Sequence, residues 1–214
     1  MLLNKLRKGF YVALSCCMLS TAMFAVPVLA ATEQNYEITD ETVITDDNIQ
    51  DVLSHLGLGG SSFVAAPNVT GVNTVGDLKN AINKASASLA GNHVAVIAGQ
   101  KEEPNVTRAT GTKTMTQTFD VDAYTIDVTV SAGYSGKSWT SANGVSASVD
   151  SDQALITYKI ADNQLSATSS ATVVKVSGYV KVQAYVGVGD VGLVKVGDPQ
   201  KNTLTANFYA KNYL

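Results

Sequence analysis

Thr172-Val173-Val174-Lys175-Val176-Ser177-Gly178-Tyr179-Val180-Lys181-Val182-Gln183-Ala184-Tyr185-Val186-Gly187-Val188 is the stretch that decides the fold. Val174, Val176, Val180, Val182, Ala184, Val186 and Val188 share one parity, while Lys175, Ser177, Tyr179, Lys181, Gln183 and Tyr185 take the other. Successive side chains of a strand point to opposite faces, so this period of two predicts a β-ribbon with one buried and one wet face. At about 3.3 Å per residue the stretch would run roughly 55 Å, far beyond an ordinary strand, so a bend or bulge is expected at Ser177-Gly178. The valine face demands a cover. Lys175 and Lys181 suit water better than lipid, which weighs against a pore-forming hairpin; an edge offered for strand addition is the other functional reading.

Working outward, the same period recurs. Tyr124, Ile126, Val128 and Val130 alternate with Thr125, Asp127, Thr129 and Ser131, and 93–97 reads as a buried run. Further strands are expected at 112–121, 144–149, 154–160, 165–188, 193–196 and 203–209. Turn chemistry separates them at Ala142-Asn143-Gly144, Asp150-Ser151-Asp152, Ala161-Asp162-Asn163, Gly189-Asp190 and Gly197-Asp198-Pro199.

Helical spacing is confined to the front of the chain. Thr45-Asp46-Asp47 offers cap oxygens and dipole-compatible carboxylates before Ile49, Val52, Leu53 and Leu56, and Gly57 stops that helix. A second helix is expected from Val75 to Leu89, capped by Thr74 with Asp77 three residues on, its stripe formed by Val75, Leu78, Ile82, Ala85 and Leu89. The fold class is therefore α+β and mostly β: an antiparallel β-sandwich or open barrel with two short N-terminal helices.

The first thirty residues read as an export signal. Lys5, Arg7 and Lys8 precede an uncharged apolar run that ends in Val28-Leu29-Ala30 before Ala31, the pattern of a cleaved signal peptide. An uncleaved anchor over 9–30 is the competing reading, and Pro27 with the small-residue site argues against it. The expected organisation is a signal peptide at 1–30, an acidic segment with a short helix at 31–60, and a helix plus β-rich domain at 61–214, the mature part being one folding unit. Both cysteines, Cys16 and Cys17, leave with the signal, which excludes disulfides, thiol catalysis and Cys-ligated zinc in the mature chain.

Charge excludes another class. Three of the fifteen basic residues and none of the eighteen acidic ones lie in the signal, so twelve face eighteen in the mature chain, a balance of −6. No nucleic-acid partner is expected from such a surface. The acids crowd the front, at Glu33, Glu37, Asp40, Glu41, Asp46, Asp47 and Asp51, ahead of the first mature lysine, Lys79. The segment 159–211 leans basic, with Lys159, Lys175, Lys181, Lys195, Lys201 and Lys211 against Asp162, Asp190 and Asp198. The plain reading is a solvated acidic lead-in, and the sharper one is docking of that lead-in on a basic sheet.

Motifs for chemistry fail in turn. Gly136-Lys137-Ser138 resembles the end of a phosphate-binding loop, but Ser131 stands where the leading glycine belongs and no helix start follows. There is no Gly-x-Ser-x-Gly elbow and no His-Glu-x-x-His, and His55 and His93 are the only histidines. Glu102-Glu103, and Asp120 with Asp122, are the carboxylate pairs that a glycan hydrolase could use. Asp120-Val121-Asp122 and Asp150-Ser151-Asp152 lack the glycine and terminal glutamate of a calcium loop. No cofactor or metal is expected. Asn68-Val69-Thr70 and Asn105-Val106-Thr107 match the glycan acceptor pattern.

One loop is a candidate binding site. Tyr134, Lys137 and the sole tryptophan, Trp139, lie in a Gly/Ser-rich connection where an exposed indole would stack on a sugar or a partner, though a lone tryptophan more often plugs a core. The functional expectation is a secreted, non-enzymatic β-rich protein of extracellular binding or assembly, at the cell surface or in a matrix. Its expected partner is an extracellular protein, a glycan or itself, with no membrane contact once the signal is removed. A secreted glycan-active hydrolase and a membrane-acting toxin or antimicrobial protein are the alternatives.

Overall fold

The computed structural model describes residues 37–59, 62–66, 69–90, 96–100 and 110–214, the backbone alone over 96–100. The signal region, the expected strand start at His93 and Glu33 lie outside the described residues. Residues 37–214 form one compact unit. Its elements are α1 (Ile49–His55), β1 (Phe63–Ala65), α2 (Val75–Ala90), β2 (Val96–Gln100), β3 (Thr110–Val121), β4 (Tyr124–Ser135), β5 (Ser138–Asp150), β6 (Ile156–Ser169), β7 (Val173–Val188), β8 (Gly192–Tyr209) and α3 (Ala210–Tyr213). The strands make two antiparallel four-stranded sheets, ordered β1-β8-β7-β6 and β2-β3-β4-β5, which curl into a half-barrel with few helices.

The valine parity is buried as the alternation requires. Val174, Val180, Val182, Ala184 and Val186 are fully inaccessible, and Val176 and Val188 are 1% exposed. Each such valine contributes about 1.5 kcal/mol or more of burial. Two different covers share this long face. Over the Val174 to Val182 half lies the β2–β5 sheet, whose Trp139 Nε1 donates to the Phe208 carbonyl at 3.0 Å and whose Tyr124 hydroxyl donates to Gln200 Oε1 at 2.8 Å. Over the Ala184 to Val188 half lies α2, which packs on β7 and β8. There the Ser88 and Tyr158 hydroxyls pair at 2.8 Å, and Tyr158 sits opposite Ala184 in the ladder.

β7 runs straight through the expected break. Gly178 pairs with Leu165 without a register shift, because the backbones of β6 and β7 approach so closely there that a Cβ on Gly178 would lie 2.0 Å from the Gln164 carbonyl oxygen. The discontinuity falls instead at Gln183, where the β7–β8 register jumps from Val182↔Gln200 to Ala184↔Val196. Gly197-Asp198-Pro199 is thus an excursion inside β8 rather than a turn. Gln183, expected on the wet face, is 1% exposed and serves this excursion: its Nε2 donates to the Val196 carbonyl at 2.7 Å.

Two more expected turns behave likewise. Ala142-Asn143-Gly144 lies within β5 and Ala161-Asp162-Asn163 within β6, each beside a register shift. Asp150-Ser151-Asp152 and Gly189-Asp190 do connect strands. A further turn, Ser170-Ala171-Thr172, divides the expected 165–188 strand between β6 and β7.

Both helices stand where the spacing puts them. The Leu58 N–H donates to the Leu53 carbonyl at 2.7 Å and Gly57 to Ser54 at 3.0 Å, the paired bonds that close a helix after a glycine. The α1 cap residue is Asn48, whose side chain turns back to the Thr45 N–H and the Val43 carbonyl instead of capping the helix. At α2 the Thr74 hydroxyl accepts from the Asp77 N–H at 3.2 Å and donates to the Asp77 carboxylate at 2.8 Å. Val75, Leu78, Ala81 and Ala85 are its buried stripe.

Candidate functional site

The loop singled out by composition is a tight hairpin. Ser135 pairs with Ser138, leaving Gly136-Lys137 as a two-residue turn between β4 and β5, with Lys137 exposed. Tyr134 is half-buried. Trp139, however, is 3% exposed, its N–H bound to the Phe208 carbonyl and its ring near Tyr134 (centroids 6.4 Å, edge-on) and Tyr213 (6.5 Å). The indole therefore ties the two sheets together and presents no face to a ligand; of the three residues, Lys137 is the one fully at the surface.

The carboxylates gather in an arrangement that sequence separation hides. Asp120, Asp122, Asp150 and Asp152 line one shallow depression of about 460 Å³ at the β3–β4 and β5–β6 turns. All four are exposed. Among the described residues no group of His, Cys, Asp or Glu is placed to hold a metal ion. His55 is exposed at the end of α1, whereas His93, Glu102-Glu103, Asn68 and Asn105-Val106-Thr107 lie outside the described residues.

A larger cleft of about 600 Å³ lies between α2 and the 153–156 segment, with Asp77, Asn80 and Lys84 on one wall and Gln153 and Leu155 on the other. It has the size of a small-molecule site. The titratable groups that burial perturbs lie elsewhere. Tyr124, in the core with its ring 4.6 Å from that of Tyr158, has its hydroxyl pushed up to about 12, chiefly by burial. Burial likewise raises Tyr158. Their partners are Gln200, Asn202 and Ser88, so these tyrosines lock one layer to another rather than serve a reaction.

The outer faces of the sheets differ sharply. On the β2–β5 sheet, Thr112, Thr114 and Thr116 face water with Thr129, Ser131, Ser146 and Ser148, and the hydroxyls bond across strands, as Thr116 does with Thr129 at 2.8 Å. On the other sheet, the non-valine parity brings lysines from three strands together. Register places Lys159 beside Gln183, Lys195 beside Tyr185, and Lys201 beside Lys181, with Lys175 farther along β7. The tyrosines hold their ammonium groups: Lys201 Nζ stands 4.3 Å from the Tyr179 ring centroid, Lys159 5.4 Å from Tyr185 and Lys181 5.9 Å from Tyr179.

Asp162 is the acid set among them. Its carboxylate accepts from the Gln164 amide at 2.9 Å, lies 3.8 Å from Lys181 Nζ and accepts from Tyr179 at 3.4 Å. The Gln164 bond first, then Lys181 and Tyr179, hold its carboxyl below the usual carboxylate value. Lysines gathered on one face repel one another unless an anion neutralises them, and the rings beneath hold their heads in place. The β7 half of this face was visible in the alternation, whereas the contributions of Lys159, Lys195 and Lys201 depend on register. Comparison with known proteins matches the chain to no family model, no curated protein and no solved structure.

Proposed function

We propose that the chain is a secreted, non-enzymatic protein of extracellular binding or assembly, released by cleavage after Ala30, whose two sheets work as an open sandwich and whose outer β6-β7-β8 face engages an acidic partner. The observation that carries this reading is the row of lysines from three strands over Tyr179 and Tyr185 with Asp162 as the acid set among them. A stable scaffold with a fixed cationic face needs no moving part to bind. Four exposed carboxylates at the 120–122 and 150–152 turns, and a tryptophan turned inward, lend the hydrolase reading no support.

The test is a binding titration of the purified 31–214 chain with a soluble acidic polymer such as polyglutamate. Binding should weaken steeply between about 0.1 M and 1 M salt, where the Debye length falls from about 10 to 3 Å. It should be lost in Lys159→Glu/Lys201→Glu. Salt-independent binding, or binding that the double variant retains, would remove this face from the function. Absence of leakage from lipid vesicles at the same concentrations is expected, and leakage would favour the membrane-acting alternative.

A further inference from the structure

We infer that the acidic partner of the lysine face is a second copy of this chain, presented through its own acidic front segment. The inference rests on the reading of that face as the binding surface. Glu37, Asp40, Glu41, Asp46, Asp47 and Asp51 are all exposed within fifteen residues, and the face opposite carries Lys159, Lys175, Lys181, Lys195 and Lys201. Six acids stand against five lysines, with Lys79 3.9 Å from Asp40 and Asp162 3.8 Å from Lys181, so the two patches are opposite in sign, the pattern that steers and registers an encounter.

Their placement decides between folding back and associating. The acidic segment is fastened to the start of α2: Ile44 N–H donates to the Asn73 carbonyl at 2.8 Å, Val75 to Thr42 at 3.0 Å and Gly76 to Asp40 at 2.8 Å. α2 in turn lies on the valine side of β7 and β8. The lysines occupy the other side of those same strands. A sheet stands between the two patches, so the acids of one copy reach only the lysines of another. Docking of this kind joins unlike surfaces, so it builds a ring where successive rotations close and an open chain where they do not.

The experiment is sedimentation velocity over a concentration series of the 31–214 chain. At about 0.1 M salt the average mass should rise with concentration, and at about 1 M it should return to monomer. Lys159→Glu/Lys201→Glu and, separately, Glu37→Lys/Glu41→Lys should each weaken association at least tenfold; all four positions are exposed, and unchanged circular dichroism serves as the fold control. Mixing the two variants should restore association, because the intact acidic segment of one meets the intact lysine face of the other. Mixing that restores nothing overturns the inference. So does a monomeric wild type that still binds polyglutamate, a result that would leave the face an acidic-ligand site with a different occupant. A monomer that binds no polyglutamate would instead remove the face itself.

Discussion

Replacing Gly178 by alanine tests the closest approach in the fold. Gly178 has φ of +145°, a region that only glycine occupies readily, and an alanine Cβ would lie 2.0 Å from the Gln164 oxygen and 2.9 Å from its carbonyl carbon. The backbone term is about 1–3 kcal/mol. Relieving the contact means moving β6 off β7 by more than an ångström, which weakens the pairs around Leu165↔Gly178; two such bonds at about 1 kcal/mol each bring the total to roughly 3–5 kcal/mol. For a chain of this length that is a fall in Tm of roughly 6–20 °C. Gly136→Ala is the matched control, since Gly136 has φ of +61° in a turn and its added Cβ meets nothing within 4 Å. It should lose only the conformational part, about 1–2 kcal/mol. Thermal and urea unfolding followed by Trp139 fluorescence and far-ultraviolet circular dichroism measures both. If the two variants melt within a degree or two of one another, the β6–β7 contact does not exist as described.

Trp139 should emit at short wavelength and resist acrylamide, because it is 3% exposed, and Trp139→Phe should cost about 1–3 kcal/mol by removing the Nε1–H bond to the Phe208 carbonyl and part of the buried indole; a long-wavelength, quenchable emission would return the indole to the surface. Tyr124 keeps its proton in the fold up to about 12 but loses it near 10 when unfolded, so its stabilising contribution is complete below pH 10 and disappears as pH rises through about 12. Urea titrations at pH 9 to 12 should show this loss, smaller in Tyr124→Phe, and an unchanged pH slope in that variant would contradict the assignment. Gln117 is fully buried in β3 and neither amide atom finds a hydrogen-bond partner among the described residues, so Gln117→Met should raise stability by about 1–2 kcal/mol; a loss measured by calorimetry would mean that the amide is satisfied.

What the sequence discloses is periodicity, and what it conceals is register. The alternation in 172–188 located every valine of the core face and missed only Gln183, and Gly57 and Thr74-Asp77 marked their helix ends, because these signals are local. Gly144 and Gly197 were equally visible but were read as turns. Both have φ of +59°, which a tight turn and a bulge each require; only the partner strand decides whether the chain reverses or merely gains a residue. The converse error was Ser170-Ala171-Thr172, which has no Gly, Pro, Asn or Asp. There the Ser170 N–H donates to the Val173 carbonyl at 2.9 Å and its hydroxyl accepts from the Val173 N–H, so a serine does a turn residue's work. The lysine face was half-legible for the same reason: parity is a property of one strand, and a surface is a property of three.

The length of β7 and β8 links the core to that surface. A sheet face that must accommodate both a second sheet and a helix side by side has to be long, and its reverse side is then equally long. With no further layer among the described residues to cover it, the reverse must be polar, and lysine and tyrosine satisfy this while shielding the ladder with their apolar stems and rings. The edges of the same sheet argue over how such a surface can be used. β1 is three residues long, and β6 carries a register shift beside Asp162 together with Lys159, features that discourage another strand from pairing there. Strand addition is thus disfavoured along β6 and β1, though β1 pairs with β8 only over Gly192–Val194, so the outer face and the rest of the β8 edge are the alternatives that association can use. Association through faces predicts a contact made by side chains, one that salt dissolves without any gain in β-structure. Infrared spectra of associated and dissociated samples should overlay in the amide region, and growth of a new β-signal on association would show that an edge has been recruited instead.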